Sequence, residues 1–241
     1  MAIIGERARK LPCACSISEF DDQSRLEGLR DVRRVLGVDA AEDARRLPQS
    51  GEGEEHAVDE AAALGSPLLV LVCGGIASPG LDRSREMVLQ GIADLTPYAQ
   101  ARGVKLGIEP LHPMFTADRS VIATLQQANA LADHFPSDTV GVVIDAYHVW
   151  WDPDVYREIN RAGSRIFAFH VSDWLVPPPD FLNGRGLMGD GCIEFGKLIA
   201  AVNRAGYNGP IEVEIFNERL WSLPGDEALY LIKTRFAKFV Q

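Results

Sequence analysis

The sequence predicts an α/β barrel of the TIM type, and three observations lead to that prediction. Short apolar runs alternate with amphipathic stretches over most of the 241 residues, an order typical of parallel strands joined by helices. Four of the apolar runs end in a residue type that binds metal ions: Glu109, Asp145, His170 and Glu214. The intervals between these four residues are 36, 25 and 44, the scale of one strand–helix unit with its loops.

Six short segments rich in β-branched or aromatic residues are predicted to be strands. They cover residues 11–17, 68–73, 104–109, 140–145, 166–170 and 211–215. Helices are predicted over residues 56–64, 153–161, 195–205 and 226–240. Two more are expected to begin at Asp82 or Ser84 and at Ser120, because these residue types cap helix N-termini.

The four ligand-type residues distinguish a closed barrel from an open, doubly wound sheet. Residues two apart in a strand share a face, so each of the four lies on the same face as the residue two positions before it. In an open sheet, consecutive strands do not all point at one place. In a barrel, the inward side chains of every strand meet at the carboxyl-terminal mouth. Convergence of four ligands therefore favours the barrel.

The first 55 residues do not follow this rhythm. They contain 9 basic and 12 acidic residues, and residues 51–55 are typical of a solvated linker. Only residues 11–17 suggest a strand there, so two of the eight strands of a barrel are missing from the pattern. We expect residues 1–55 to be an irregular N-terminal segment and residues 56–241 to be the barrel domain.

Composition excludes several classes of protein. A net charge of −10 argues against a nucleic-acid partner, which requires a basic surface. The sequence contains neither an apolar run long enough for a membrane span nor a signal peptide near Met1. The four cysteines lack zinc-site spacing and are expected to be reduced, mostly buried thiols in a cytoplasmic protein.

Charged groups at strand ends are costly unless they face a site. Three carboxylates and one imidazole make a complete ligand set for one divalent cation. Each residue alone could instead cap a helix or pair with a lysine, but four in equivalent positions favour a metal site. Glu212 shares a face with Glu214, and we expect it to form an ion pair, with Lys105 as the candidate partner, rather than to bind metal.

Five motifs occur in an order that resembles a known family. They are Glu-Pro-Leu-His at 109–112, Asp-x-x-His at 145–148, His-x-x-Asp at 170–173, an arginine followed by Gly-Asp-Gly within 185–191, and Gly-Pro-Ile-x-Val-Glu-Ile-Phe at 209–216. Together they resemble the sugar phosphate isomerase/epimerase family with the xylose-isomerase-like barrel. That group includes tagatose and psicose 3-epimerases, hydroxypyruvate isomerase and inosose dehydratase. The resemblance covers roughly residues 56–225 and makes residues 68–73 strand four.

The resemblance implies that one metal ion is bound by Glu109, Asp145, His170 and Glu214. It also implies that Glu109 and Glu214 transfer protons on opposite faces of the substrate. Removing a proton beside a carbonyl needs a base, and the enediolate that results needs a nearby cation. Three carboxylates favour manganese or magnesium, with cobalt or zinc as further candidates.

Other side chains are implied to surround the substrate. His148 and Arg185 would contact its oxygens, since an arginine in a glycine-rich loop can close on a hydroxyl, carboxylate or phosphate group. His112 would line the pocket or lie on the surface. Asp173 could orient a metal ligand from behind. The tryptophans that follow ligand strands are candidates for the pocket wall or for the core; they are Trp150, Trp151 and Trp174.

The predicted function is a metal-dependent isomerase or epimerase of a small sugar or keto acid, a protein that could form homo-oligomers. A dehydratase of the inosose type uses the same site chemistry and stays open. A non-catalytic remnant of a truncated barrel is a third alternative, because unpaired strand edges would remain. A DNA-repair endonuclease of related fold is disfavoured by five histidines and the acidic charge.

Overall fold

A computed structural model describes residues 2–3, 52–75 and 80–241. These residues form one six-stranded sheet in the order β1-β6-β5-β4-β3-β2. The strands are β1 (Ala2–Ile3), β2 (Leu68–Leu71), β3 (Lys105–Ile108), β4 (Val140–Asp145), β5 (Ile166–Val171) and β6 (Ile211–Val213). β2 to β6 are parallel, and β1 pairs with β6 in the antiparallel direction. The described part of the chain therefore contains a run of neighbouring parallel strands of the kind that builds a barrel.

The helices alternate with the parallel strands as predicted. They are α1 (Glu52–Ala63), α2 (Leu81–Ala101), α3 (Leu125–Ala132), α4 (Ala146–Val149), α5 (Val155–Ala162), α6 (Phe195–Arg204), α7 (Glu218–Trp221) and α8 (Gly225–Phe239). Their apolar faces and the strands form one core, in which Leu106, Ile144 and Phe169 are fully buried. None of the described helices combines the length and apolar character that crossing a bilayer requires.

Several helices begin at other residues than predicted. α3 begins after Thr124, whose hydroxyl accepts a hydrogen bond from the Gln127 amide, so Ser120 is not its cap. α2 begins after Gly80, which offers no side chain for capping. The linker predicted at residues 51–55 is wrong from Glu52 onward, because α1 begins there. Several polar residue types can cap a helix with similar stabilisation. The sequence alone therefore does not decide which of several neighbouring polar residues begins the helix.

The end of the sheet at β1 differs from the predicted pattern. β1 lies against β6, with Ile3 opposite Glu212, and two residues are too few for periodicity to reveal. The strand predicted at 11–17 and the cysteines at positions 13 and 15 lie outside the described residues. Of the other thiols, Cys73 is half-buried and Cys192 is exposed. The prediction of a buried thiol is therefore wrong for Cys192.

The register of the parallel strands brings the ligand-type residues to one edge of the sheet. Asp145 on β4 is opposite His170 on β5, and His170 is opposite Glu212 on β6. Glu109 and Glu214 each follow the last residue of their strands, β3 and β6. All five side chains therefore lie at the carboxyl-terminal mouth, where catalytic residues of α/β barrels are found.

Candidate active site

The structure brings together the four side chains predicted to bind metal. One ligand-type atom from each of Glu109, Asp145, His170 and Glu214 lies within 4.8 Å of the others. Glu109, Asp145 and His170 are buried, and the side chain of Glu214 is 19% exposed. Each comes from a different parallel strand, so the cluster depends on four strands holding their register.

The imidazole of His170 lies at the centre of this cluster. Its Nδ1 atom is 3.2 Å from Oε1 of Glu109 and 3.5 Å from Oε2 of Glu214. Neither ring nitrogen of His170, nor Oε1 of Glu109, makes an aligned hydrogen bond in the described structure, although all three atoms are inaccessible to solvent. Buried polar atoms without partners are costly, and a bound ion would satisfy Oε1 of Glu109 and one ring nitrogen of His170.

Arg185 lies over the cluster and is itself buried. Its Nη1 atom donates to Oδ2 of Asp145 at 2.8 Å and to Oε2 of Glu214 at 3.3 Å. The guanidinium is held between the rings of Tyr147 and Phe216, at 4.5 and 4.8 Å from their centroids. Arg185 is thus an internal counter-charge in contact with two aromatic rings, whereas the sequence indicated an arginine whose glycine-rich loop could close on a substrate group.

The hydrogen bonds of His148 define its tautomer. The backbone amide of His112 donates to Nδ1 of His148 at 3.1 Å, so in the neutral ring the proton is on Nε2. Burial lowers the pKa of His148 well below its usual value, and Arg185 lowers it further. Nη2 of Arg185 lies 3.1 Å from Nε2 of His148. Because a guanidinium only donates, these two N–H groups are neighbouring donors and not partners of each other.

Aromatic rings form a wall next to these donors. The His112 ring stacks on Trp174 with centroids 4.8 Å apart and meets Trp151 edge-on at 5.5 Å. Tyr147 packs against the other side of the wall, 4.9 Å from Trp174. His112 is half-buried, and burial lowers its pKa, so it lies in this wall and not on the open surface. Trp150 also packs on Trp174, which places all three tryptophans in one cluster.

Asp173 organises the glycine-rich loop that carries Arg185. Its carboxylate accepts hydrogen bonds from four backbone amides, those of Trp174, Gly189, Gly191 and Ile193. Gly189 has a φ of 86°, and a Cβ at Gly191 would overlap the carbonyl oxygen of Trp174. Glycine therefore allows the loop to close around the carboxylate. With both oxygens engaged by the loop, Asp173 supports Arg185 rather than a ligand side chain.

Burial and neighbouring charges shift the pKa values of Glu109 and Glu214 in opposite directions. Burial raises the pKa of Glu109 to about 7, although His170 acts in the other direction. Burial also acts to raise the pKa of Glu214, but Arg185 and His170 outweigh it and hold that pKa well below its usual value. In His170, burial opposes protonation, yet Glu109 and Glu214 raise the pKa well above its usual range.

Glu212 has a different partner from the one expected from the sequence. The candidate partner Lys105 is exposed, and the Lys105 ammonium lies 4.8 Å from the centroid of the Phe167 ring. Glu212 instead lies 3.5 Å from Nε2 of His170. Only the pairing of β5 with β6, which places Glu212 opposite His170, reveals this contact. The aromatic rings that hold Arg185 were also not predicted.

The donor set fits a divalent metal ion. Two ligand atoms on opposite sides of one ion, each at about 2.1 Å, are about 4.2 Å apart, so atoms up to 4.8 Å apart must approach by about 0.6 Å or more. Three ionised carboxylates against one arginine leave two negative charges, which one divalent cation neutralises. The unpartnered atoms of Glu109 and His170 supply the remaining evidence of fit.

Comparisons with known proteins agree with this architecture. Over 146 residues the chain is 27% identical to the inosose isomerase of Bacillus subtilis, covering 59% of this chain and 51% of that protein. Over 213 residues it is 28% identical to the 3-dehydroshikimate dehydratase of Pseudomonas aeruginosa, covering 81% and 32% of the two. The chain thus spans about half the length, or less, of these curated relatives.

A crystal structure of a Sinorhizobium meliloti protein gives a closer match along the chain. It is 41% identical, superposes with a TM-score of 0.75, and the match covers 92% of this chain and 74% of that one. The profile of the family described as xylose isomerase-like TIM barrel matches residues 34–236, a longer stretch than the motifs alone covered. The predicted barrel fold is confirmed, and the chain belongs to the xylose isomerase-like TIM barrel family.

Proposed function

We propose that this protein is a metal-dependent sugar isomerase or epimerase that acts by moving a proton beside a carbonyl group. The observation that carries the proposal is the buried cluster of two glutamates, one aspartate and one histidine at the mouth of the barrel. The substrate is a small sugar or keto compound. The similarity to an inosose isomerase supports this class of substrate. It does not assign inosose as the substrate of this protein.

The two glutamates have the properties of an acid–base pair. In the metal-free protein, burial raises the pKa of Glu109 to about 7, whereas Arg185 favours the ionised form of Glu214, so the two carboxylates differ in their tendency to hold a proton. One glutamate removes the proton from the carbon next to the carbonyl, and the electron pair of that C–H bond forms the enediolate. The other delivers a proton to the opposite face or to the neighbouring carbon. Two carboxylates whose pKa values differ because of their environments are typical of an acid and base pair.

His148 and Arg185 hold the substrate oxygen in this proposal. Nε2–H of His148 and Nη2–H of Arg185 are adjacent donors 3.1 Å apart, and in this proposal both donate to one substrate oxygen. An oxygen that gains negative charge during proton removal fits there, because fixed donors stabilise developing charge. The wall formed by His112, Trp151 and Trp174 lines one side of the site in this proposal. Asp173 keeps the Arg185 loop in place.

Glu109, Asp145, His170 and Glu214 would hold one divalent ion, with manganese or magnesium favoured and cobalt or zinc as alternatives. When bound, the ion would act as a Lewis acid towards substrate oxygens. The residues named above position the substrate and move the proton. Assembly of this chain into homo-oligomers and its place in the cytoplasm stay predictions.

Hydrogen exchange with solvent tests the proposal on a panel of candidate substrates. The protein, loaded in turn with manganese, magnesium, cobalt and zinc, is incubated in D₂O with small ketoses, hydroxypyruvate and inososes. NMR and mass spectra report deuterium uptake beside the carbonyl and any new isomer. We expect uptake in the wild type, less than about a hundredth of it in Glu214→Gln, and wild-type uptake in the exposed control Glu227→Gln.

The same assay separates the dehydratase alternative, which the Pseudomonas relative favours. An isomerase or epimerase product has the mass of the substrate plus the exchanged deuterium. A dehydratase product is lighter by one water, because the electron pair expels a β-hydroxyl group. Wild-type exchange in Glu214→Gln would contradict the proposed site. No exchange with any compound, in a protein that binds metal, would support the non-catalytic remnant.

A further inference from the structure

Glu212 is a buried carboxylate that the proposed chemistry does not use. It is 8% exposed and lies in β6, opposite His170 in β5. Its Oε2 atom is 3.5 Å from Nε2 of His170, close but not aligned as a hydrogen bond, and its Oε1 atom has no hydrogen-bond partner in the described part of the chain. An acidic group is costly in such a position unless a neighbouring donor uses it.

The two nitrogens of His170 face different carboxylates. Nδ1 faces Glu109 and Glu214, the proposed metal ligands, whereas Nε2 faces Glu212 on the other side. A neutral imidazole has one N–H and one lone pair. A metal ligand must present the lone pair, so Nδ1 can bind an ion only when the proton is on Nε2.

We propose that Glu212 is a positioning residue that holds the Nε2 proton of His170 and thereby presents Nδ1 to the metal ion. The inference rests on the metal site of the proposed function and adds the residue that orients one ligand. A carboxylate behind a ligand histidine fixes both the tautomer and the direction of the ring. The two acidic residues of the Glu-x-Glu pair thus have different tasks: Glu214 faces the ion, and Glu212 faces the back of His170.

Two substitutions separate hydrogen bonding from packing. Glu212→Gln keeps an oxygen that can accept the Nε2 proton, whereas Glu212→Leu has a similar volume and no acceptor. Affinity for Mn²⁺ and Zn²⁺ is measured by competition with a fluorescent chelator. We expect Glu212→Leu to bind each metal about 10- to 100-fold more weakly than wild type. Glu212→Gln should lose about fivefold or less, and the exposed control Glu227→Gln should lose nothing.

Nitrogen-15 NMR of the histidine rings reads the tautomer directly. In the Zn²⁺-loaded wild type we expect His170 to carry its proton on Nε2 and to bind zinc through Nδ1. Measured at a pH high enough to deprotonate the imidazolium, the metal-free wild type should favour the Nε2 proton, and Glu212→Leu should lose that preference. If Glu212→Leu fails to fold, the spectra of the wild type and of Glu212→Gln decide the question.

The outcomes distinguish this inference from the proposed function. A wild type that binds no metal refutes the proposed metal site, and the tautomer of the metal-free ring still tests the role of Glu212. A wild type that binds metal while Glu212→Leu binds it equally, with an unchanged tautomer, refutes the positioning role alone. Coordination through Nε2 would also overturn it.

Discussion

The strand β4 and the strand β2 end in opposite ways. Every residue of β4 is buried, and β4 pairs with a parallel strand on each side. It ends in Asp145, a fully buried carboxylate. Within the described residues β2 pairs with β3 alone, only Leu69 of its four residues is buried, and Val72 beyond its end is 45% exposed. No ligand-type carboxylate or histidine directly follows it.

The contrast indicates where a barrel can hold buried charge. A carboxylate such as Asp145 is tolerable only when its partners are fixed, and strands held from both sides fix them to within the register of the sheet. β2, with one paired neighbour among the described residues, ends in residues that need no such partners. The proposed chemistry therefore depends on β3 to β6, and changes at the end of β2 should matter much less.

The largest effect is expected from removing the counter-charge of Asp145. Arg185→Met should destabilise the metal-free protein by about 3–5 kcal/mol, because Asp145 and Glu214 are left without their buried cation. A bound divalent ion should recover part of this loss. Urea unfolding in EDTA and in manganese measures both values.

Arg83→Met is the matched control for that substitution. Arg83 forms an ion pair with Glu86 at 2.8 Å, the same distance as between Arg185 and Asp145. The side chains of Arg83 and Glu86 are both more than half exposed. Loss of this solvated pair should cost about 1 kcal/mol or less. Equal destabilisation by the two substitutions would show that the buried carboxylate of Asp145 does not depend on Arg185 for its stability.

A smaller effect is expected from pH in the metal-free protein. Glu109 has a folded pKa of about 7 against 4.5 unfolded, so between these values the folded state retains a proton that the unfolded state has released. The unfolding free energy should therefore fall by about 1–3 kcal/mol as pH rises from 4.5 to 7. His170, whose pKa is raised above 6.5, extends the fall to higher pH.

Denaturant unfolding of metal-free samples across this pH range measures the slope. Glu109→Gln removes the group that titrates and should flatten the profile below about pH 6.5. A saturating divalent ion should reverse the slope, because metal binding requires deprotonated ligands. An identical fall in the glutamine variant would mean that another group carries the pH dependence.

The smallest effect is expected at the end of β2. Burial raises the pKa of Cys73 to about 12, with Glu109 adding to the shift, and its thiol is not among the four side chains that converge on the proposed metal site. Cys73→Ala should change manganese and zinc affinity by about twofold or less and the unfolding free energy by about 1 kcal/mol. Cys192→Ala, at an exposed site, is the control. A tenfold loss of zinc affinity in Cys73→Ala would make β2 part of the metal site.

The sequence was sufficient for the barrel and for the four clustered residues, for one physical reason. Alternation along a strand determines which residues share a face, and parallel strands share one carboxyl-terminal edge. Glu109 and Asp145 could therefore be assigned to the same mouth before any contact between them was seen. The helix starts were less predictable, since Ser120 and Thr124 offer equivalent caps.

Contacts that depend on three-dimensional register were not predictable. Glu212 and Glu214 share a face, and only the pairing of β6 with β5 reveals which nitrogen of His170 each one faces. The ion pair of Arg185 with Asp145 joins residues 40 positions apart, and a loop sequence does not specify where its arginine lies. Asp173 was expected behind a ligand, but its four amide contacts became visible only with the loop folded.

The most direct test of the proposed metal site is the metal content of the purified full chain after dialysis against manganese and removal of free ion. Wild type, Asp145→Ala, His170→Ala and the exposed-histidine control His134→Ala are compared, with circular dichroism to show that each is folded. We expect about one equivalent of manganese in the wild type and the control, and almost none in Asp145→Ala and His170→Ala. A folded wild type without metal, or two site variants that retain it, would contradict the assignment of this cluster as a metal site.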